Sequence, residues 1–525
     1  MEPSCVRQTQ IPGTSKLFGD YLYQFDRVSC FFSHNFADAA SFPKAAADID
    51  YPESRRCALV AALRQQNGDS ASLDLLAQPG TLAVVTGQQV GLFSGPSYTV
   101  FKALTAVKLA ESLSKEGIPA VPVFWLASED HDLAEVDHVW FFNQDAQPGK
   151  ISLANAVTNG GPVGEVELSE LPWPEIRESL GDLPFADETV ERLRAAYPPG
   201  STFTSGFKAL LQDILREYGL LFLDPLDPAI REMARPFLAN AAKRVPELTS
   251  ALKARDHELA EAGYHSQVHL DDNSSLLFLL NEGKRSPLRW KDGEFVARDQ
   301  KYVAADLCGI SDRLSPNALL RPVMQDYLLP TVAYVGGPAE IAYMAQTQVL
   351  YSKLLGRMPV IFPRNSFTLL DARAEKIINH FHLSILDLLD HQEQVKGKIA
   401  RQMVPTDLAE QFRELEISLS ESLSRLQQNL HDFDPTLEAA LQKSHAKMLY
   451  QLRHLSSKAA RETLRRDELG TKKANFLINL VYPQRHLQER FFSIIPFLAK
   501  HGLDLPQTLL GMAQLTCPDH MVRTI

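Results

Sequence analysis

Four ionisable side chains stand in a row at Glu129-Asp130-His131-Asp132, directly after Ser128 and shortly before Glu135, Asp137 and His138. Carboxylates beside an imidazole are the groups that move protons or hold a polar substrate near neutral pH. If a helix begins at Glu129 or Asp130, then His131, Glu135 and His138 share a face at i, i+4 and i+7, a spacing able to hold a divalent metal. The commoner reading of such a run is a helix cap, with Ser128 or Asp130 capping and the acids complementing the dipole. Capping and substrate contact are compatible, and four ionisable residues in a row exceed what a cap requires.

A second group lies in the segment Gly87-Gln88-Gln89-Val90-Gly91-Leu92-Phe93-Ser94-Gly95-Pro96, with Tyr98 and Lys102 just beyond. Glycines let a backbone turn sharply and approach a ligand, and the helix that follows offers unpaired N–H groups to an anion. Ser94 or Ser97 is the expected cap. The spacing matches neither a P-loop nor the GxGxxG fingerprint, so a plain tight turn is the competing reading. Alternation over Tyr264–Leu270 puts His265, Gln267 and His269 on one face of an expected strand, where they could bind a metal, bind a polar substrate or simply face solvent. Arg321 offers a planar fork for a carboxylate or phosphate. Asn317 precedes it, and Gly336-Gly337 makes a second anion-friendly turn with Glu340 in the first turn of the next helix.

These groups need elements to position them. The apolar run Leu82–Thr86 reads as a buried parallel strand, and Val121–Ala127 as another. Between them Tyr98, Phe101, Leu104 and Val107 keep helical spacing, which makes a βαβ unit. Leu276–Leu280 reads as a strand, Asp292-Gly293 as a hairpin turn, and Pro359–Phe362 as the last core strand. After Thr368 the pattern turns helical. Phe412, Leu415, Leu419, Leu423, Leu426 and Leu430 keep one stripe, and Leu437, Leu441, Met448, Leu452, Leu455 and Ala459 keep another after the break at Asp434-Pro435. Two such helices make an antiparallel coiled coil whose narrow stripe calls for a further helix to cover it.

Three domains of ordinary size suit a chain of 525 residues. The expected division is a core over 1–370 with a β-rich insertion near 264–300, a coiled coil over 371–472, and a C-terminal segment over 473–525 that docks on the core. A net charge of −11 excludes a general nucleic-acid binder, since phosphate backbones demand a basic surface. No stretch reaches the ~20 apolar residues of a membrane span. Five scattered cysteines without a CxxC read as reduced thiols of a cytoplasmic protein.

The segments VVTGQQVGLFSGPSYTVFKALTAVKLA, PVFWLASEDHDLAEVDHV, GYHSQVH, LSPNALLRPVMQDYLLPTVAYVGGPAEIAYMAQ and LQERFFSIIPFLAKHG together resemble the bacillithiol biosynthesis cysteine-adding enzymes, in order and over nearly the whole chain. The resemblance implies an α/β fold with a Rossmann-like, nucleotidyl-transferase or synthetase-type core, connecting insertions and a coiled coil that pairs subunits into a homodimer. It implies that cysteine is joined to glucosaminyl malate through an amide bond in the last step of bacillithiol synthesis. On this reading Gly87, Gln88, Gln89, Gly91, Gly95 and Pro96 cradle the ligand. Asp130, His131 and Asp132 contact it, and Asn317, Arg321 and Glu340 line the opposite wall. The HIGH and KMSKS signatures of adenylate-forming synthetases are absent, so ATP or another adenine nucleotide, with or without Mg2+, is an expectation from fold alone. The competing classes are a metal-dependent hydrolase or deacetylase built on His131, Glu135 and His138, and a non-catalytic coiled-coil protein that senses a nucleotide.

Overall fold

The structure, a computed structural model, describes residues 4–153, 160–168, 170–298, 300–434 and 436–525. Its core is a five-stranded parallel sheet of β1 (Leu82–Gln89), β2 (Ala120–Ala127), β3 (Leu221–Leu223), β4 (Thr331–Gly336) and β5 (Val360–Pro363). The spatial order is 3-2-1-4-5, the order of a Rossmann-type sheet, with its switch point between β1 and β4. Both faces are covered, which is why these strands read as continuous apolar runs. Along β2, Val121, Val123 and Trp125 enter one core cluster while Phe124 and Leu126 enter the other. Helix α1 (Tyr98–Lys115) follows β1, and α2 (Pro338–Leu354) joins β4 to β5.

The sequence ends β1 at Thr86, but its ladder with β2 runs on to the pair Gln89 and Ala127. Gly87, Gln88 and Gln89 are therefore strand residues, and the irregular turn begins later. A Cβ on Gly87 would stand 2.8 Å from the Trp125 carbonyl oxygen, so only glycine lets β1 and β2 approach here. Gly87→Ala is expected to destabilise the fold by roughly 1–3 kcal/mol through this overpacking, seen as a lowered Tm in thermal unfolding.

The β-rich insertion is a five-stranded antiparallel sheet spanning Ser274–Asn281, Lys284–Lys291, Glu294–Ala297, Gln300–Tyr302 and Leu314–Pro316. Asp292 and Gly293 both take positive φ at the expected hairpin turn. The expected strand at 264–270 is not one. The segment pairs with no neighbouring strand, and the Gln346 side chain satisfies both the N–H and the carbonyl of Val268, at 2.9 and 3.0 Å.

A third sheet joins the chain ends. His520–Thr524 lies between Ser4–Val6, antiparallel, and Ser366–Leu370, parallel. The preceding segment packs Phe491 on Trp140 and Phe492 and Phe497 on Phe142. Helices α3 (Thr406–Phe433) and α4 (Thr436–Arg466) run beside one another; Pro435, named above in the break, lies outside the described residues. No α3 residue is buried, and Leu415, Leu426 and Leu455 remain exposed. Among the described residues no helix is long and apolar enough to cross a membrane.

Candidate active site

A cleft of about 500 Å³ opens at the carboxyl ends of the strands, over the switch point between β1 and β4. The end of β1 and the start of α1 contribute Gly87, Gln88, Gln89, Tyr98 and Lys102. The segment leaving β2 contributes Asp130 and His131, and the opposite wall holds Asn317, Arg321, Gly337 and Glu340. Gly87 and Glu340, 253 positions apart, therefore meet in one place.

Lys102 is the buried hinge of this site. Its ammonium lies 2.5 Å from Glu340 and donates to the Gly87 carbonyl at 2.9 Å and to Gln88 Oε1 at 3.0 Å. Its three donors are thus engaged. Burial outweighs Glu340 and pulls the lysine below its ordinary range. Glu340 also accepts from the Tyr334 hydroxyl at 2.6 Å and the Gly337 N–H at 2.8 Å. Burial pushes its carboxyl up, but Lys102 and these donors outweigh it and hold it below the usual range. The anion-friendly turn at Gly336-Gly337 is accordingly filled by the chain's own carboxylate. Gly336 ends β4, its carbonyl accepting from Arg364 N–H.

Arg321 is different. Its Nη2 donates to the Tyr343 hydroxyl at 3.1 Å, and no carboxylate pairs with it among the described residues. Burial works against the charge, yet Tyr343, Tyr334, Glu340 and Asp130 together hold the guanidinium firmly protonated. Its remaining N–H groups suit a carboxylate or phosphate. Asn317 supports this wall by accepting from the N–H groups of Leu319 and Leu320 ahead of the helix Arg321–Leu328.

No helix starts at Glu129. A short 3-10 turn at Leu133–Glu135 leads instead into the strand His138–Phe142, because Asp130 folds back to accept from the N–H of His131 at 2.7 Å. Three residues that a helix would align thus find separate partners: His131 meets Arg285 at 3.1 Å, Glu135 accepts from Gln89 at 2.7 Å, and His138 meets Asp137 at 2.9 Å. The metal face is not formed, and among the described residues no group of three His, Cys, Asp or Glu could hold a metal. Asp130 also accepts from Gln89 at 2.8 Å. Burial raises its carboxyl, but that bond, the local N–H groups and Arg285 leave it below the usual range, hence ionised.

Other candidates fall outside the cleft. Gly91, Gly95 and Pro96 do not line it; Gly91 packs on Gly95, whose φ is +63°, and the Ser97 N–H is taken by the Phe492 carbonyl at 2.7 Å. Neither Ser94 nor Ser97 caps α1. Ser128 is buried and donates to Asp224 at 2.5 Å, and Asp132 is exposed. His265, Gln267 and His269 face solvent while Val268 lines the cleft between them.

Sequence reasoning missed Arg285, which donates to Ser315 and the Pro316 carbonyl and stacks 3.8 Å over Phe278. It missed Arg364 and Arg490, which flank Tyr98. It also left Glu129 without a role; this buried carboxyl is pushed up by desolvation against Arg285 and Arg231. No local pattern marks an arginine on a charged hairpin strand as a cleft residue.

Comparison with known proteins completes the picture. Residues 1–365 match the family model "Bacillithiol biosynthesis BshC, N-terminal Rossmann-like domain", and residues 367–525 match "Bacillithiol biosynthesis BshC, C-terminal coiled-coil domain". Relatives named "Putative cysteine ligase BshC" include one from Solibacter usitatus, 48% identical over the full length of both chains. Another, from Koribacter versatilis, is 37% identical over 99% of each chain, and one from Salinibacter ruber is 31% identical over 96% of this chain and 95% of its own. With a Rossmann-type sheet carrying the cleft, a paired-helix domain, and matches spanning both, this chain belongs to the BshC family of bacillithiol biosynthesis.

Proposed function

We propose that the cleft is the active site of a cysteine ligase that joins cysteine to glucosaminyl malate by an amide bond, as the last step of bacillithiol synthesis. The observation that carries this reading is Arg321, a half-buried guanidinium in the cleft with no carboxylate partner among the described residues. Glucosaminyl malate presents carboxylates and an amine, and cysteine presents both groups as well. Arg321 receives a carboxylate, while the ionised Asp130 opposite it attracts an ammonium. Holding amine and carboxyl in contact contributes about 7–11 kcal/mol toward the barrier. Lys102 and Glu340, engaged with each other, position the two walls and take no part in proton transfer.

The carboxyl requires activation, and an adenine nucleotide is the group proposed for it. The cleft fits one in charge: Arg490 would meet its phosphates, and when bound it would supply a leaving group for the carboxylate. The exposed leucines of α3 and α4 support a homodimer through the coiled coil, and a thiol biosynthetic role supports a cytoplasmic location.

Deleting the gene and measuring low-molecular-weight thiols by mass spectrometry tests the assignment. Bacillithiol is expected to disappear and its glucosamine-malate amine precursor to accumulate, with complementation restoring both. Unchanged bacillithiol in a strain without a second copy of the gene would sink the proposal. Purified protein assayed with and without ATP and Mg2+ then decides the activating group.

A further inference from the structure

Cys5 and Cys517 are 512 positions apart in the chain, yet their sulfurs stand 3.9 Å apart. The sheet of the chain ends brings them together, with Cys5 opposite Met521 in the antiparallel pair. More than that short ladder fixes the junction. Tyr23 donates to Asp519 at 2.6 Å, Gln8 donates to the Pro518 carbonyl at 3.4 Å, and Arg523 donates to the Ser4 carbonyl at 3.1 Å. The two thiols therefore meet on a held scaffold.

Their surroundings differ in a way that assigns roles. Cys5 is exposed to an incoming disulfide, and Arg523 Nη2 lies 4.0 Å from its sulfur. Cys517 is half-buried, and desolvation pushes its thiol above the ordinary range. Cys57 and Cys308 instead meet Glu53 and the Ala239 carbonyl.

We propose that Cys5 and Cys517 form a reversible dithiol–disulfide site whose oxidant is the disulfide of a low-molecular-weight thiol. The Cys5 thiolate attacks one sulfur of the incoming RSSR, forms Cys5–S–S–R and expels RS⁻, which takes up the proton Cys5 has lost. Cys517 then gives its proton to solvent and attacks the Cys5 sulfur. The mixed disulfide breaks, and the second RS⁻ leaves and is protonated. Two protein thiols and one RSSR become one protein disulfide and two RSH, so the protein is oxidised by two electrons and RSSR is reduced by two. The sulfurs close from 3.9 Å to about 2.05 Å. The product staples the strand Ser4–Val6 to the segment that leads into the strand His520–Thr524, whatever reaction the cleft performs.

Incubating the reduced full-length protein with cystine, alkylating free thiols and mapping peptides by mass spectrometry reads each cysteine separately. Cystine is expected to leave at least about tenfold less mixed disulfide on Cys5 than on the exposed Cys30 and Cys57, with the Cys5–Cys517 cross-link in its place, because the second step is intramolecular. Dithiothreitol is expected to reverse it. Cys517→Ser is expected to trap cysteine on Cys5, and Cys5→Ser to leave Cys517 unmodified; equal thermal unfolding of the reduced variants establishes that both fold. A wild-type protein that stops at a mixed disulfide on Cys5, to the same extent as at Cys30 and Cys57, overturns the proposal. So does modification of Cys517 in the Cys5→Ser protein at the rate of Cys30.

Discussion

Arg321→Ala is expected to lower kcat/KM for amide formation by about 10²–10³-fold, the usual cost of removing one preorganised donor that meets developing charge. The reason is positional. Arg321 keeps one hydrogen bond, to Tyr343, and has no carboxylate partner among the described residues, so it meets an incoming anion without first breaking an ion pair. Lys102 cannot take over, since Gly87, Gln88 and Glu340 already hold its three donors. Arg321→Lys retains charge but loses the planar fork, and is expected to recover only part of the rate. Steady-state kinetics with cysteine and glucosaminyl malate, alongside thermal unfolding to establish that the variants fold, makes the comparison. Full activity in Arg321→Ala would remove the residue from the mechanism and the observation that carries the proposed function.

Glu489→Gln is expected to cost about 3–5 kcal/mol of stability, as breaking one side of a buried pair does. Arg364 and Glu489 are 4% and 1% exposed and form a two-pronged pair at 3.0 and 2.7 Å. Glu489 accepts in addition from Ser366 Oγ and Phe367 N–H, so both oxygens are fully used. The neutral amide leaves the Arg364 charge buried without an ion partner. The double variant Arg364→Met/Glu489→Gln is expected to lose less than the two single losses added together, because it removes both charges. Urea unfolding of the four proteins measures this coupling, and strictly additive losses would refute it.

The same cluster sets a pH dependence. Ser366 Oγ–H donates to Glu489, so His520 Nδ1–H donates to Ser366, and in the neutral imidazole Nε2 accepts from Thr368. Burial pushes His520 from 6.5 down to about 4. The unfolded chain therefore binds the proton first, and stability falls as pH drops from about 6.5 toward 4. Burial raises Glu489, but Arg364 and the Phe367 N–H outweigh it and hold its carboxyl below its ordinary value of 4.5, so its contribution is lost only at more acid pH. Chemical unfolding at stepped pH is expected to show the first decline, and His520→Gln to flatten it.

What local pattern determined is clear from the strands and paired helices. Val84, Val85, Val123 and Phe124 sit in runs long and apolar enough that only a sheet covered on both faces could bury them, and the leucine stripes of α3 and α4 needed no distant contact to be read. The Asp292-Gly293 turn was legible because its positive φ values belong to those two residue types. The candidates Asp130 and His131, just beyond β2, followed from the rule that ligands collect at the carboxyl ends of parallel strands.

Tertiary structure decided the rest. Whether Asp130 began a helix depended on its carboxylate folding back to its own backbone and on Gln89 reaching it, and that choice dispersed His131, Glu135 and His138. Whether Tyr264–Leu270 became a strand depended on the amide of Gln346, a residue 78 positions from Val268. Arg285, Arg364, Arg490 and the meeting of Cys5 with Cys517 left no local trace at all. Periodicity records which face of an element is buried; the partner of a single polar group is set by the whole chain's path, and so it appears only once the chain has folded.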